Sequence, residues 1–256
     1  MKKTNFLKEM SWKAFVERKD KTNLAIIPAG AFEVYGPHLP LGSDTLVAVK
    51  IAELVAERVN SIIGPTLEVG DSSMLDDFPG TITIRPESFK SYLVDTVDSL
   101  KKWGFKDFLF INNHVGNVPV INQIAFDHRE NNELRFAQID YWRFLKTLDK
   151  GIVESGELAH GHASEAGTSV LLYLYPEIVE FEKSVNEPAK FIEQFPEIIQ
   201  YQKYGIYSES GTIGNAKLGT KEKGEQLVKR SVDKIVQFLY ESWNIEEKKH
   251  ELQQSL

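Results

Sequence analysis

The chain has 256 residues, 42% of them hydrophobic and 26% charged, which is ordinary for a globular protein of one large domain or two small ones. Its net charge of −7 argues against a general nucleic-acid binder and against a protein that binds anionic membranes, because both need concentrated positive charge. The sequence has no cysteine, which excludes disulfides, thiolate metal ligands and a cysteine nucleophile.

The start of the chain carries two lysines, as a signal peptide does, but Lys8 and Glu9 interrupt the apolar segment at once. No run approaches the roughly 18 apolar residues of a membrane span. We therefore expect a soluble cytoplasmic protein that has no membrane partner.

The predicted elements alternate between strands and helices, most regularly in the first half. Short β-rich apolar runs indicate the strands, and apolar spacings of three and four residues indicate the helices. Predicted strands cover 24–29, 62–69, 81–84, 108–111 and 136–141. Predicted helices cover 10–19, 45–60, 86–103, a segment after 117 with Ile121 and Ile124, 170–175 and 227–243.

This alternation predicts a single α/β domain over 1–256 with a largely parallel sheet. Residues 178–209 are expected to form an irregular excursion, and the charged tail from about 246 is expected to be frayed. Ligands of such sheets bind outside the carboxyl ends of the strands. The loops that follow Ile27 and Ile111 both lie there, so we expect them to share one site.

The first of these loops carries Glu33, Tyr35, His38 and Asp44. Carboxylate and imidazole groups on an irregular segment between a strand and a helix are typical of a metal site. Other interpretations stay open, because Asp44 is a good N-cap for the helix that follows, and Glu33 and His38 are compatible with ordinary loop positions.

Four of the six histidines lie in loops next to predicted elements, namely His38, His114, His160 and His162. His114 follows the predicted strand 108–111, and His160 and His162 precede the predicted helix 170–175. A single loop histidine is more often structural than a metal ligand, so the pattern alone does not assign them.

Three segments resemble the motifs of a known family. Residues Glu33-Val-Tyr-Gly-Pro-His-Leu-Pro-Leu-Gly-Ser-Asp44 closely resemble the first metal motif of the creatininase (creatinine amidohydrolase) family. Asn113-His-Val-Gly-Asn117 resembles the second motif, Asn-Gly-His-x-x-Asn, and His162-Ala-Ser-Glu-Ala-Gly-Thr-Ser169 resembles the third, His-Ala-Gly-x-x-Glu-Thr-Ser. The motifs occur in the family's order, and the resemblance covers roughly residues 8–240.

The resemblance implies a three-layer α/β/α sandwich around a mostly parallel sheet, often assembled as a homohexamer, with two divalent metals near the carboxyl edge of the sheet. Carried over by position, Glu33, Asp44 and His114 are the expected ligands of one metal, with Asp44 in the bridging position. Zinc is the expected ion, with manganese or iron as alternatives, and the count is one or two per chain.

Two departures from the family pattern concern the second metal. The family has histidine where this chain has Tyr35 and glutamate where it has Gly167, and the creatininase branch uses a glutamate where this chain has Gly116. Three outcomes stay open: a single metal, a substitute pair formed by His162 and Glu165, or a loss of catalysis. We favour a single metal or a reshaped second site.

The expected activity is that of a metal-dependent hydrolase of a small cyclic or amide-containing metabolite, in which a metal-activated water attacks a carbonyl or amidine-like carbon. We expect His162 to shuttle the proton, with Glu165 or His160 orienting it or sharing the transfer, and Tyr35 to donate a hydrogen bond to the substrate. In a purely structural interpretation, His160 and His162 only cap or line the loop. The alternatives are ring-opening C–C hydrolysis of a keto-inositol, or a metal- or metabolite-binding protein without turnover.

Overall fold

The structure is a computed structural model that describes residues 4–190, 197–198 and 202–248. Its strands are β1 Leu24–Ala29, β2 Ile62–Ile63, β3 Asp107–Asn112, β4 Arg135–Asp140, β5 Asn186–Glu187 and β6 Gly214–Asn215. Its α-helices are α1 Trp12–Lys19, α2 Ser43–Arg58, α3 Pro86–Lys102, α4 Val118–Asp127, α5 Tyr141–Lys146, α6 Glu165–Leu174 and α7 Lys221–Trp243. Short 3-10 turns connect several of these elements.

Four strands form the central sheet in the order β2-β1-β3-β4, and all of its pairs are parallel. Every residue of β1 and β3 is buried. This explains their nearly continuous apolar sequences, because a parallel strand that is covered on both faces has no polar side. Strands β5 and β6 form a separate antiparallel pair.

Helices cover both faces of the central sheet. Leu24 and Ile26 of β1 face a core that they share with α2, α6 and α7, whereas Ala25 and Ile27 face a core shared with α3 and α4. Successive side chains of a strand point to opposite faces, so one strand contributes to both cores. The predicted three-layer α/β/α sandwich with a parallel sheet is confirmed.

The carboxyl ends of three strands meet at one edge of the sheet. In the strand register, Ala29 pairs with Asn112, and Asn112 pairs with Asp140. The segments that follow these three residues therefore begin side by side. This is the position in which ligands of parallel sheets bind.

Two predicted strands are shorter than expected. The strand predicted at 62–69 is reduced to β2, because Gly64 and Pro65 follow it and proline cannot donate to a strand ladder. The strand predicted at 81–84 forms only an isolated bridge to the loop after β1. Both segments lie beside this loop and contribute to its position.

The end of the described chain packs against α2. Glu247 forms an ion pair of 2.7 Å with Arg58 and a bridge with Val59, so residues 246–248 are held and not frayed. The rest of the predicted frayed tail, from residue 249, lies outside the described residues. Within the described ranges, no helix combines the length and apolar character needed to span a bilayer.

Candidate metal centre

Three side chains of the metal-ligand type meet at the carboxyl edge of the sheet. Glu33 lies on the loop after β1, Asp44 in the first turn of α2, and His114 directly after β3. His114 Nδ1 lies 3.2 Å from Glu33 Oε2 and 3.5 Å from Asp44 Oδ2. The ligand atoms of the three residues lie within 4.8 Å of one another, and no other group of three such side chains does so in the part of the chain that the structure describes. The structure thus brings together the three predicted ligands of one metal.

The start of α2 determines where the Asp44 carboxylate points. Gly42 is the N-cap of α2 and Asp44 is the second helical residue, so Asp44 does not cap the helix. Its Oδ2 faces His114, and its Oδ1 accepts a hydrogen bond of 2.9 Å from Trp142 Nε1. A carboxylate in the first turn is also stabilised by the positive end of the helix dipole.

Backbone and hydroxyl partners orient the other two predicted ligands. His114 Nε2–H donates to the carbonyl of Asp71 at 2.7 Å, which leaves Nδ1 facing the two carboxylates. Such a partner fixes the tautomer and the ring orientation of a ligand histidine. Ser72 Oγ donates to Glu33 Oε2 at 2.6 Å. The segment of Asp71 and Ser72 therefore positions both His114 and Glu33.

The pKa values in this group favour positive charge between the carboxylates. Burial raises the pKa of Glu33, but His114 and His162 outweigh it and bring that pKa well below its usual value. For Asp44, burial and the charge of Glu33 outweigh the bonds from His114 and Trp142, so its pKa is raised. Burial lowers the pKa of His114, but Glu33 and Asp44 raise it well above its usual value.

This donor set fits a divalent metal ion. Two carboxylates and one imidazole are ligands that zinc and manganese accept, and three protein ligands leave positions open, as a catalytic centre requires. The two carboxylates are at most 3% exposed, so their negative charge needs a nearby cation. The first metal that the resemblance implies therefore fits the residues present.

A cavity of about 280 Å³ includes this group of ligands. Three aromatic side chains line it, namely Tyr35, Trp142 and Tyr204. Asn113 also lines the cavity and is 1% exposed, yet neither its amide nitrogen nor its amide oxygen has a hydrogen-bond partner in the structure. A buried amide without partners is unfavourable, so Asn113 is positioned to bond a ligand in the cavity.

His162 lies in the wall of the cavity with one nitrogen held by the backbone. Its Nδ1–H donates to the carbonyl of Gly211 at 2.6 Å, and its Nε2 lies 3.4 Å from Glu33 Oε1. Burial lowers the pKa of His162, but the hydrogen bond and charge of Glu33 outweigh it and raise that pKa. Its Nε2 is therefore the atom that can carry a proton next to the ligands.

His160 lines the same cavity but is oriented by a different carboxylate. Its Nε2 lies 2.8 Å from Asp149 Oδ2, and its Nδ1 is buried without a hydrogen-bond partner. The structure shows no hydrogen bond between His160 and His162. His160 is therefore placed beside the site, and the expected orientation of His162 comes from the carbonyl of Gly211 instead.

Glu165 points away from the cavity and lies in an ion pair with α7. Its carboxylate accepts hydrogen bonds from Lys223 Nζ at 2.6 Å and from the backbone nitrogens of Glu154 and Ser155 at 2.9 and 2.8 Å. Burial raises the pKa of Glu165, but Lys223 and Ser155 outweigh it and lower that pKa. This placement corrects the expected pairing of Glu165 with His162.

The reason for this correction lies in the turn before α6. The expected pairing assumed that both residues lie on one helical face, but α6 begins only at Glu165. Ala163 adopts a left-handed backbone with φ of 51°, which turns the chain between them. Two residues on either side of such a turn do not share a face.

Removing the Glu165 carboxylate is expected to destabilise the fold more than to impair chemistry. Glu165→Ala removes a fully buried carboxylate and leaves the half-buried Lys223 and the backbone nitrogens of Glu154 and Ser155 without this acceptor, which should lower the free energy of unfolding by about 3–5 kcal/mol. The matched control is Glu154→Ala, because Glu154 binds the same lysine but is 64% exposed, and its loss should cost less than about 1 kcal/mol. Urea unfolding measures both values. A Glu165→Gln protein of unchanged stability whose kcat falls about 100-fold would contradict this assignment.

The remaining predicted residues have clear positions. Tyr35 lies in the cavity wall, and burial together with the charges of Asp44 and Glu33 raises its pKa well above the usual value. His38 is buried and its Nε2 lies 2.8 Å from Thr168 Oγ1, outside the lining of the cavity. Burial lowers the pKa of His38 to about 4, so it is neutral at pH 7. His38 connects the loop after β1 with α6.

Sequence reasoning missed two aromatic residues of the cavity. Trp142 follows the carboxyl end of β4, so the rule that indicated the loops after β1 and β3 also applies to it. The predicted strand extended to Tyr141, whereas β4 ends at Asp140 and Tyr141 begins α5. Tyr204 comes from the irregular excursion, where no sequence pattern indicates a position in the site.

Comparison with known proteins gives a consistent result. The family model for creatininase, described as creatinine amidohydrolase, matches residues 8–239. The chain is 26% identical over 270 residues to the creatinine amidohydrolase of Pseudomonas putida, covering 95% of this chain and 99% of that one. It is 29% identical over 218 residues to the mycofactocin precursor peptide peptidase of Mycolicibacterium smegmatis, covering 82% and 81% of the two chains. It is 27% identical over 258 residues to the 3-dehydro-scyllo-inosose hydrolase of Thermotoga maritima, covering 89% and 80%.

Solved structures share the same fold. A structure described as creatininase Mn superimposes with a TM-score of 0.82 at 24% identity, covering 93% of this chain and 98% of that chain. A creatininase variant described as of Zn-Zn type superimposes with a TM-score of 0.83 at 24% identity and the same coverage. These structures share the fold over nearly the whole chain, and the family model over residues 8–239 confirms the resemblance noted in the motifs.

Proposed function

The chain belongs to the creatininase (creatinine amidohydrolase) family, and from this premise we propose that it hydrolyses a small cyclic or amide-containing metabolite. The relatives are an amidohydrolase, a peptidase and an inosose hydrolase, which have hydrolysis in common. The chain is accordingly a hydrolase of this family, and its divalent metal is proposed to be held by Glu33, Asp44 and His114.

The observation that carries this proposal is the convergence of these three side chains in the cavity wall beside His162. A cavity of about 280 Å³ favours a small ligand. Its aromatic side chains offer flat faces on which a planar amide or a small ring can stack. The proposal places C–N hydrolysis ahead of ring-opening C–C hydrolysis because two of the relatives are an amidohydrolase and a peptidase.

Different residues of the site have different roles in the proposed reaction. When bound, a divalent ion supplies Lewis acidity toward a carbonyl and lowers the pKa of water. His162 holds the transferred proton at Nε2, since its Nδ1 is engaged by Gly211. The amide of Asn113 bonds the polar end of the substrate. Trp142 and Asp71 hold the ligands Asp44 and His114 in place.

A panel of substrates tests this function. Protein loaded with Zn²⁺ or Mn²⁺ is assayed with lactams, cyclic ureas, formamides, short peptides and cyclic ketones including keto-inositols. We expect turnover of at least one amide, a loss of more than about 100-fold after dialysis against a chelator, and recovery when the ion is added back. Product release is measured by mass spectrometry.

The outcomes separate the alternatives. Turnover of cyclic ketones alone would favour the ring-opening C–C reaction, in keeping with the similarity to the inosose hydrolase. No turnover of any substrate by protein that retains its metal would favour a binding protein without catalysis. Turnover of an amide that persists without metal would contradict the proposal.

A further inference from the structure

The ring of Tyr35 fills space directly beside the predicted ligands. Tyr35 follows Glu33 by two residues, lines the same cavity and is 4% exposed. The centroid of its ring lies 4.7 Å from that of His162 and 6.0 Å from that of Trp142. An imidazole at this position would be smaller and would carry its nitrogen closer to the backbone. The phenol ring thus takes up room that a histidine would leave open.

Gly167 is complementary to Tyr35. A β-carbon on Gly167 would lie 3.3 Å from Tyr35 Oη and 3.4 Å from Tyr35 Cε1. Gly167 lies inside α6 and has no positive φ, so its backbone does not require glycine. Glycine is disfavoured inside helices, because it loses more conformational entropy than other residues do. A β-carbon here would already be in tight contact with the phenol, so glycine at 167 gives the ring room, and a side chain as large as glutamate would compete with the ring for this space.

The oxygen of Asp44 that faces away from His114 already has a partner. Trp142 Nε1 donates to Asp44 Oδ1 at 2.9 Å, while Oδ2 faces His114. The indole N–H is a donor only and carries no formal charge. A carboxylate oxygen has two lone pairs, so this hydrogen bond orients Asp44 and still leaves Oδ1 able to bind a cation.

Gly116 occupies the third position at which the resemblance implies a ligand of the second ion. A β-carbon on Gly116 would be in hard contact with the carbonyl oxygen of Asp71. That oxygen accepts the hydrogen bond that orients His114. A glutamate at 116 would therefore displace the group that orients a ligand of the first ion.

We propose that this protein holds one divalent ion, at Glu33, Asp44 and His114, and that the ring of Tyr35, accommodated by Gly167, excludes a second ion from the adjacent position. This differs from the two-metal centre that the resemblance implies, because the three positions expected to bind the second ion hold a tyrosine and two glycines. The inference rests on the proposed function only for the placement of the first ion.

In this arrangement, the hydroxyl of Tyr35 polarises the substrate in place of a second cation. Tyr35 lines the cavity next to His162 and Trp142, with ring centroids 4.7 and 6.0 Å away. Its O–H lies in the cavity wall and donates to the substrate, where a cation would otherwise polarise it. The side chain is thus both a barrier to the second ion and a contact for the substrate.

Metal counting tests the inference without an activity assay. Wild-type protein is loaded with excess Zn²⁺ or Mn²⁺, desalted without chelator and analysed for metal by mass spectrometry. We expect about one ion per chain and an electron paramagnetic resonance spectrum of isolated Mn²⁺. The double variant Tyr35→His with Gly167→Glu should bind about two ions per chain, with the magnetic coupling of two Mn²⁺ that share a carboxylate. Tyr35→Phe is the matched control and should stay at one ion, since it keeps the ring.

The possible results test separately the first metal site, the exclusion of a second ion, and the role of the Tyr35 ring and Gly167. Two ions in the wild type would overturn the inference and leave the proposed function intact, whereas no retained ion would overturn the first site and the proposed function with it. A second ion in Tyr35→Phe, or a folded double variant that still holds one ion, would overturn the role of the ring and Gly167. If circular dichroism shows that the double variant is unfolded, the wild-type count and the spectrum decide.

Discussion

Replacing Asp44 with asparagine is expected to remove the bound metal and to lower kcat/KM at least about 1,000-fold, which is about 4 kcal/mol of transition-state stabilisation. Asparagine keeps the size of the side chain and an oxygen for the hydrogen bond from Trp142, but it removes the charge that faces His114. Burial and the negative charge of Glu33 raise the pKa of Asp44, and the two carboxylates repel one another without a cation. The metal-free variant should therefore be at least as stable as the metal-free wild type. Metal analysis, kinetics and urea unfolding measure the three quantities.

Asp140→Asn is the matched control for this experiment. Asp140 lines the same cavity, but its carboxylate pairs with Arg143 at 3.2 Å and is not part of the group of ligands. Its replacement should leave the metal content unchanged and the activity within about tenfold of the wild type. An Asp44→Asn protein that keeps its full metal content would refute the ligand assignment.

The sequence predicts the layers of the fold because the layers depend on which apolar segments are buried. Strands β1 and β3 are covered on both faces, so their apolar runs stand out whatever surrounds them. The short strand β2 was overestimated, because Gly64 and Pro65 limit its pairing and this effect depends on which neighbour the strand has. A local sequence pattern therefore predicts the existence of a strand more reliably than it predicts the residue at which the strand's pairing ends.

The resemblance implied the three ligands and the strand order explains why they meet, whereas no comparable signal indicated the cavity walls. Glu33 and His114 follow buried parallel strands, and strand order alone brings such positions to one edge. Glu165 was misplaced because the left-handed Ala163 separates it from His162, and alanine gives no sequence signal for that conformation. The exclusion of a second ion depends on packing between Tyr35 and Gly167, which lie far apart in the chain. Motif comparison located both departures, but only the structure shows that they compensate each other.

Replacing His162 with alanine is expected to lower kcat by about 100- to 10,000-fold while the metal content stays at the wild-type level. His162 is not one of the three ligands, but its Nε2 lies 3.4 Å from Glu33 Oε1, within reach of a substrate held beside those ligands. The backbone carbonyl of Gly211 holds its other nitrogen, so no other side chain is needed to orient the ring. Single-turnover kinetics and metal analysis of the same sample check both expectations.

His160→Asn is the histidine control, because His160 lines the same cavity but is bound to Asp149. We expect it to reduce kcat less than about tenfold, whereas a loss equal to that of His162→Ala would mean that the two residues share the proton transfer. Added imidazole should restore part of the activity of His162→Ala by entering the space of the missing ring. A merely structural His162 would not give this rescue, since free imidazole does not replace the bond to Gly211 that positions the loop. Unchanged kcat in His162→Ala would leave the proton transfer to another group and would exclude Nε2 of His162 from it.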